Sequence, residues 1–182
     1  MNIIYSEAEI TELSARIKRR GILTCVLAAP FLAAFIYFFV MHLQITIKEP
    51  GPIPDDTLKI LAIASCILFA FVLIFGFSFF VSPLKAYRKH IRNSLHGRSH
   101  DMTYTFKCIE PEESLIDHVN FRSVVFDGEP DRHGVTAHMF YWDALKVIPD
   151  FSEGETVTIR YYDRFIFGWS REAGHISAVN VE

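Results

Sequence analysis

The chain has 182 residues, 18 Lys plus Arg against 21 Asp plus Glu, a net charge of −3, and a hydrophobic fraction of 51%. Three cysteines exclude a disulfide framework. The 15 acidic against 7 basic residues from Asp101 to Glu182, a net of −8, exclude a nucleic-acid binder working through charge. The mean hydropathy of +0.23 comes from two places, since 10 of the 17 Phe lie in two uncharged runs.

Residues 1–20 read as an amphipathic cytoplasmic helix. Ser6-Glu7-Ala8-Glu9 fits a capping box, Tyr5 and Ile10 stand at staple spacing, and Ile10, Leu13 and Ile17 recur at helical intervals. Charge passes from Glu7, Glu9 and Glu12 to Arg16, Lys18, Arg19 and Arg20, which complements the helix dipole. Three apolar positions make a narrow stripe, so this helix reads as an extension of the first apolar run rather than as one lying in a lipid interface.

Gly21 to Ile47 is uncharged over 27 positions and Ile60 to Leu84 over 25. About 20 apolar residues at about 1.5 Å each cross a hydrocarbon layer of about 30 Å, so residues 21–47 and 60–84 are predicted to be transmembrane helices. Pro30 is expected to kink the first, and Ala28, Ala29, Ala33, Ala34, Ala62, Ala70 and Gly76 permit close approach of the pair. A transport or channel subunit is a second alternative function. It would need polar groups at depth, where Thr24, Ser65 and Ser78 supply the hydroxyls. His42, toward the outer boundary, reads as an anchoring histidine without a carboxylate partner.

Residues 48–59 form a short external loop carrying Lys48 and Lys59 against Glu49, Asp55 and Asp56. Basic residues concentrate before the first span and after the second. Both termini are therefore expected in the cytoplasm of a cell-membrane protein. Residues 85–100 continue as a basic juxtamembrane helix, with Tyr87, Ile91 and Leu95 every fourth residue and Gly97 as the stop. Lys85, Arg88, Lys89, Arg92 and Arg98 mark the cytoplasmic side and are candidate contacts to anionic membrane lipid. His90, His96 and His100 lack the spacing of a metal pair on one helical face.

Residues 101–182 change period from helical to two. Met102–Cys108, Val119–Phe126, Val135–Trp142, Thr156–Tyr162 and Phe165–Trp169 are predicted strands, with turns at 110–118, 127–134, 149–154 and 163–164. Ser123 breaks the alternation of the second strand, so a bulge or change of face is expected there. Residues 144–148 suit one helical turn. Five short strands predict a small antiparallel β domain, either an OB-like barrel or a two-layer sheet. The fold class is thus an α+β membrane protein, a two-helix hairpin followed by that domain. In architecture alone it resembles bacterial membrane-hairpin proteins with an OB-like cytoplasmic tail, such as the NfeD family. No motif carries over residue by residue.

The chemistry-bearing residues are sparse. Asp117-His118 and Asp131-Arg132-His133 place acid beside imidazole, but adjacent residues in turns seldom face one another. Alternation puts Cys108 with Met102, Tyr104 and Phe106 on the apolar face, where a thiol is inert. His118, His133, His138 and His175 have no zinc-ligand spacing, and no glycine-rich phosphate loop is present. No catalytic residue, cofactor or metal is assigned. The expected function is a non-catalytic membrane protein whose acidic domain binds an unknown protein partner or forms a homo-oligomer, with Phe140, Tyr141, Trp142, Tyr161 and Tyr162 as candidate contacts. The alternative is a zinc- or copper-binding or enzymatic tail using His133 or His138.

Overall fold

The computed structural model describes residues 1–47, 54–130 and 134–171. The chain forms two compact units: Thr11–Lys85, and Met1–Ile10 together with the chain from Ala86 onward.

The first unit is helical. Helix α1 (Glu7–Ile47) starts on the expected capping box, with Ser6 Oγ accepting from Glu9 N at 3.4 Å and Glu9 Oε2 accepting from Ser6 N at 3.3 Å. It takes in both the expected N-terminal helix and the first apolar run as one element, continuing through Pro30. Helix α2 (Asp55–Gly76) passes through a π-helical stretch, Phe77–Val81, into α3 (Ser82–His96). The wider π turn has no local signature in the sequence. At the end of α3 Gly97 N bonds Asn93 O at 2.7 Å, the stop expected of that glycine.

The packing within this unit leaves many large aliphatic side chains outside, although Leu58 and Val81 are buried and Ala29, Ala33 and Ala70 are exposed. Ala28 and Ala62 are buried, while Ile22, Leu23, Val26, Ile60, Ile63, Ile67 and Ile74 are exposed. At Gly76 α2 packs closely on α1: a Cβ there would run into the Thr24 side chain, which would have to shift to admit it. Two helices are thus long and apolar enough to cross a membrane by length and composition. His42 does have a carboxylate partner, contrary to expectation: its Nδ1 meets Asp55, which also pairs with Lys59 Nζ at 2.7 Å.

The second unit is a six-stranded, mainly antiparallel sheet. Its strands are β1 (Asn2–Ile3), β2 (His100–Ile116), β3 (Val119–Asp127), β4 (Ala137–Asp143), β5 (Thr156–Tyr162) and β6 (Phe165–Arg171). Their order is β1-β6-β4-β3-β2-β5, and β5 also pairs with β6. The parallel contact is a single bridge, Tyr141 to Phe165, between β4 and β6. Nothing in the sequence announces β1; Asn2 and Ile3 pair with Trp169 and Gly168, and Ile4 N reaches Phe167 O at 2.8 Å.

Strand β2 is far longer than Met102–Cys108 because two register shifts let it bend and continue. At the first, β2 moves from Phe106 to Cys108 while β3 moves by one residue, from Phe126 to Val125. That extra residue turns Cys108 to the exposed side, correcting its expected place beside Tyr104 and Phe106. The second shift lies between Ile109 and Glu113 and absorbs Pro111 without breaking the strand. Strand β2 then turns into β3 at Asp117-His118, whose φ values of 49° and 64° are those of a type I′ hairpin.

Ser123 marks a change of face rather than a bulge, since β3 keeps an unbroken register with β4 from Phe121 to Asp127. Val119, Phe121 and Ser123 are buried on one side of β3; Val124 and Phe126 are buried on the other. The second side belongs to the main core, with Tyr104, Phe140, Trp142, Val157, Ile159 and Ile166. The first side is covered because the His90 ring of α3 lies 4.9 Å from that of Phe121.

Candidate functional site

Within the β unit, α3 presents Ala86, Lys89, His90 and Asn93, at helical spacing of three, four and seven, to one cleft of about 470 Å³. The Asp117-His118 turn and Asp163 at the β5–β6 turn line it from the sheet, over a floor containing Phe121 and Phe165. Asp163 also has a positive φ, 58°, so both aspartates sit in left-handed turn positions that Asp tolerates better than most residues.

Beside the cleft is a buried polar cluster assembled from three segments distant in sequence. Tyr5 OH donates to Asp143 Oδ2 at 3.1 Å, and Tyr87 OH donates to the same oxygen at 2.7 Å. Leu145 N donates to Asp143 Oδ1 at 2.9 Å. Asp143 is 0% exposed, so these donors replace water around a carboxylate that could not otherwise be buried. Tyr5 has one proton and gives it to Asp143; the 3.0 Å contact with His90 Nε2 is then an imidazole N–H donating to the phenol oxygen. The resulting line is His90 to Tyr5 to Asp143, which fixes the histidine tautomer and leaves Nδ1 as its acceptor nitrogen.

Burial sets the protonation of these groups. It pushes His90 down to about 4, partly opposed by the Asp143 charge. Tyr5 is raised by burial and then by the neighbouring Asp143 charge; Tyr87 is raised by burial and then by its hydrogen bond to Asp143. At neutral pH the imidazole is therefore uncharged and both phenols keep their protons. Such a chain can position a ring and hold a segment in place. Its donors are committed to one another, which leaves them poorly placed to pass a proton to a substrate. Glu9 and Lys146 pair beside it, with the ammonium 5.5 Å from the Tyr5 ring centre.

The candidate residues scatter over this unit. Phe140 and Trp142 are core residues, 5% and 1% exposed, which corrects their reading as partner contacts: they alternate onto the inner face of β4. Tyr141, Tyr161 and Tyr162 are half-buried. Tyr162 lines the cleft, and Tyr161 OH donates to Met102 Sδ at 3.2 Å. Of the basic collar, Lys85, Lys89, Arg92 and Arg98 are exposed and Arg88 is half-buried.

His138 Nε2 contacts Glu129 O at 2.8 Å, while Asp131, Arg132, His133 and His175 lie outside the described residues. Among the described residues no three His, Cys, Asp or Glu side chains converge as metal ligands do. In the helical unit Thr24 and Ser65 hydroxyls donate to Arg20 O and Leu61 O on their own helix, at 3.0 and 2.8 Å.

Sequence reasoning missed Tyr5, Tyr87, His90 and Asp143 as a group. Tyr87 and His90 are three apart on a helix, which hints at a shared face, but nothing local ties either to Asp143. Comparison with protein-family models, curated proteins and solved structures gives no match for this chain.

Proposed function

We propose that the protein is a two-span membrane protein whose hairpin, residues 21–47 and 60–84, anchors a cytoplasmic β domain that serves as a protein-binding or self-assembly module. The observation that carries the anchor is the exposure of large apolar side chains along both long helices, among them Ile22, Leu23, Val26, Ile60, Ile63, Ile67 and Ile74, which water would penalise and lipid would not. The basic residues at both ends of the hairpin support cytoplasmic termini.

The β domain reads as an OB-like barrel. The pairings β2–β3, β3–β4, β4–β6 and β6–β5 lead back to β2 through β2–β5, so five strands make a closed circuit. A binding role rather than a catalytic one is supported by the Tyr5–His90–Asp143–Tyr87 cluster, whose polar groups are satisfied internally.

Protease treatment of sealed vesicles tests the orientation: cleavage in residues 101–182 is expected from the cytoplasmic face, and cleavage from the opposite face overturns it. For the module itself, full-length protein in mild detergent is expected to run as a homo-oligomer, or to retain a stoichiometric partner, in light-scattering and affinity-capture measurements. A partner-free monomer removes the basis of the binding role.

A further inference from the structure

The cleft beside α3 has a mouth with charges that the fold leaves unneutralised. Elsewhere on the domain four acid–base pairs are formed: Arg160 with Asp101 at 2.5 Å, Arg171 with Glu155 at 2.7 Å, Arg122 with Glu113 at 3.2 Å, and Lys107 with Asp127 at 3.5 Å. Among the described residues no ion pair engages Lys89, Asp117 or Asp163, although all three line the same cavity. Two carboxylates come from hairpin turns and one ammonium from the helix, so both signs are present around one space. The lining has an aromatic side, Phe165 and Tyr162, backed by the buried Phe121 ring 4.8 Å from that of Phe165. A volume of about 470 Å³ lies within the range of small-ligand sites, roughly 300–1,000 Å³, which combine an apolar lining with a few convergent polar groups.

We propose that this cleft binds a small zwitterion with an apolar side chain, an amino acid of the phenylalanine or leucine kind. Its ammonium group faces Asp117 and Asp163, its carboxylate faces Lys89, and its side chain lies against Phe165 and Tyr162. A simple cation would leave Lys89 opposed, and a simple anion would face two carboxylates. Only a ligand carrying both charges is matched by all three groups. The site is independent of whether the domain also binds a protein.

The test is calorimetric titration of the full-length protein in phosphatidylcholine nanodiscs, with empty nanodiscs as the partition blank. The probes are L-phenylalanine, phenethylamine and 3-phenylpropanoate. L-Phenylalanine is expected to bind saturably, and each one-charge probe about fivefold more weakly, the upper end for a solvent-exposed ion pair. Lys89→Gln is expected to erase the preference over phenethylamine. Asp117→Asn with Asp163→Asn, which keeps residues that tolerate the left-handed turn, is expected to erase the preference over 3-phenylpropanoate. Absence of saturable L-phenylalanine binding overturns the proposal, as do equal affinities for the three probes or affinities that neither variant changes.

Discussion

Lowering the pH should unfasten the β unit through His90. In the folded protein this imidazole titrates at about 4 rather than 6.5, because burial opposes its charged form. The unfolded chain therefore binds more protons than the folded one between those values, and stability rises with pH across that window. His90's contribution is complete above about 6.5 and is lost as the pH falls toward 4. At about 1.36 kcal/mol per pH unit, the difference between 6.5 and about 4 corresponds to about 3 kcal/mol. Carboxylates titrate over part of the same range, so the informative quantity is the difference between wild type and His90→Gln. Thermal unfolding followed by near-ultraviolet circular dichroism should show wild type losing up to about 3 kcal/mol more than the variant between pH 7 and pH 4. Carbon-13 labelling of the histidine rings supplies an independent reading, with the His90 midpoint expected near 4. A His90 midpoint near 6.5, or parallel losses in the two proteins, would refute the argument that burial governs this ring.

Other contacts give four further outcomes. Tyr5→Phe leaves the His90 N–H without its acceptor and Asp143 Oδ2 with one donor, and should cost about 1–2 kcal/mol in the same unfolding assay. Tyr87→Phe should cost a similar amount, and because both phenols serve one oxygen the double variant should depart from the sum by about 0.5 kcal/mol or more. Gly76→Ala places a methyl 2.4 Å from Thr24 Cγ2 and should weaken the helix pair by about 1–3 kcal/mol, with Thr24→Ala restoring much of it; thermal melts in detergent read both. Exposed Cys108 should react with a water-soluble maleimide in permeabilised membranes while Cys25 and Cys66, within the spans, resist, as read by mass shift. Equal labelling of all three would count against the membrane reading.

What could be read from the sequence is what repeats locally. The uncharged runs declare the long helices, Ser6 and Glu9 declare where α1 begins, and the period of two declares β3, β5 and β6 closely. Where the structure departs, the cause is pairing that alternation cannot encode. One unmatched residue between Phe106 and Cys108 reverses the face of the cysteine, and a second shift keeps β2 running past Pro111. Phe140 and Trp142 share a parity that Tyr141 does not, so their burial was visible in principle, but five aromatic candidates do not reveal which parity faces inward. The polar cluster was out of reach: Tyr5 and Asp143 are 138 positions apart, Tyr5 and His90 are 85 apart, and each looks ordinary among its neighbours.

Residues 1–10 belong to the β unit although the helical hairpin intervenes before the rest of that unit. The order of synthesis therefore runs against the order of assembly. Asn2, Ile3 and Tyr5 are made before their partners Trp169, Gly168 and Asp143, with 138 positions separating Tyr5 from Asp143. Closing a loop of that length is slow and entropically unfavourable until β4 and β6 already exist to receive it. The first strand is therefore expected to dock only after β6 has formed, so a bulky fusion ahead of Met1 should act on a late step of maturation.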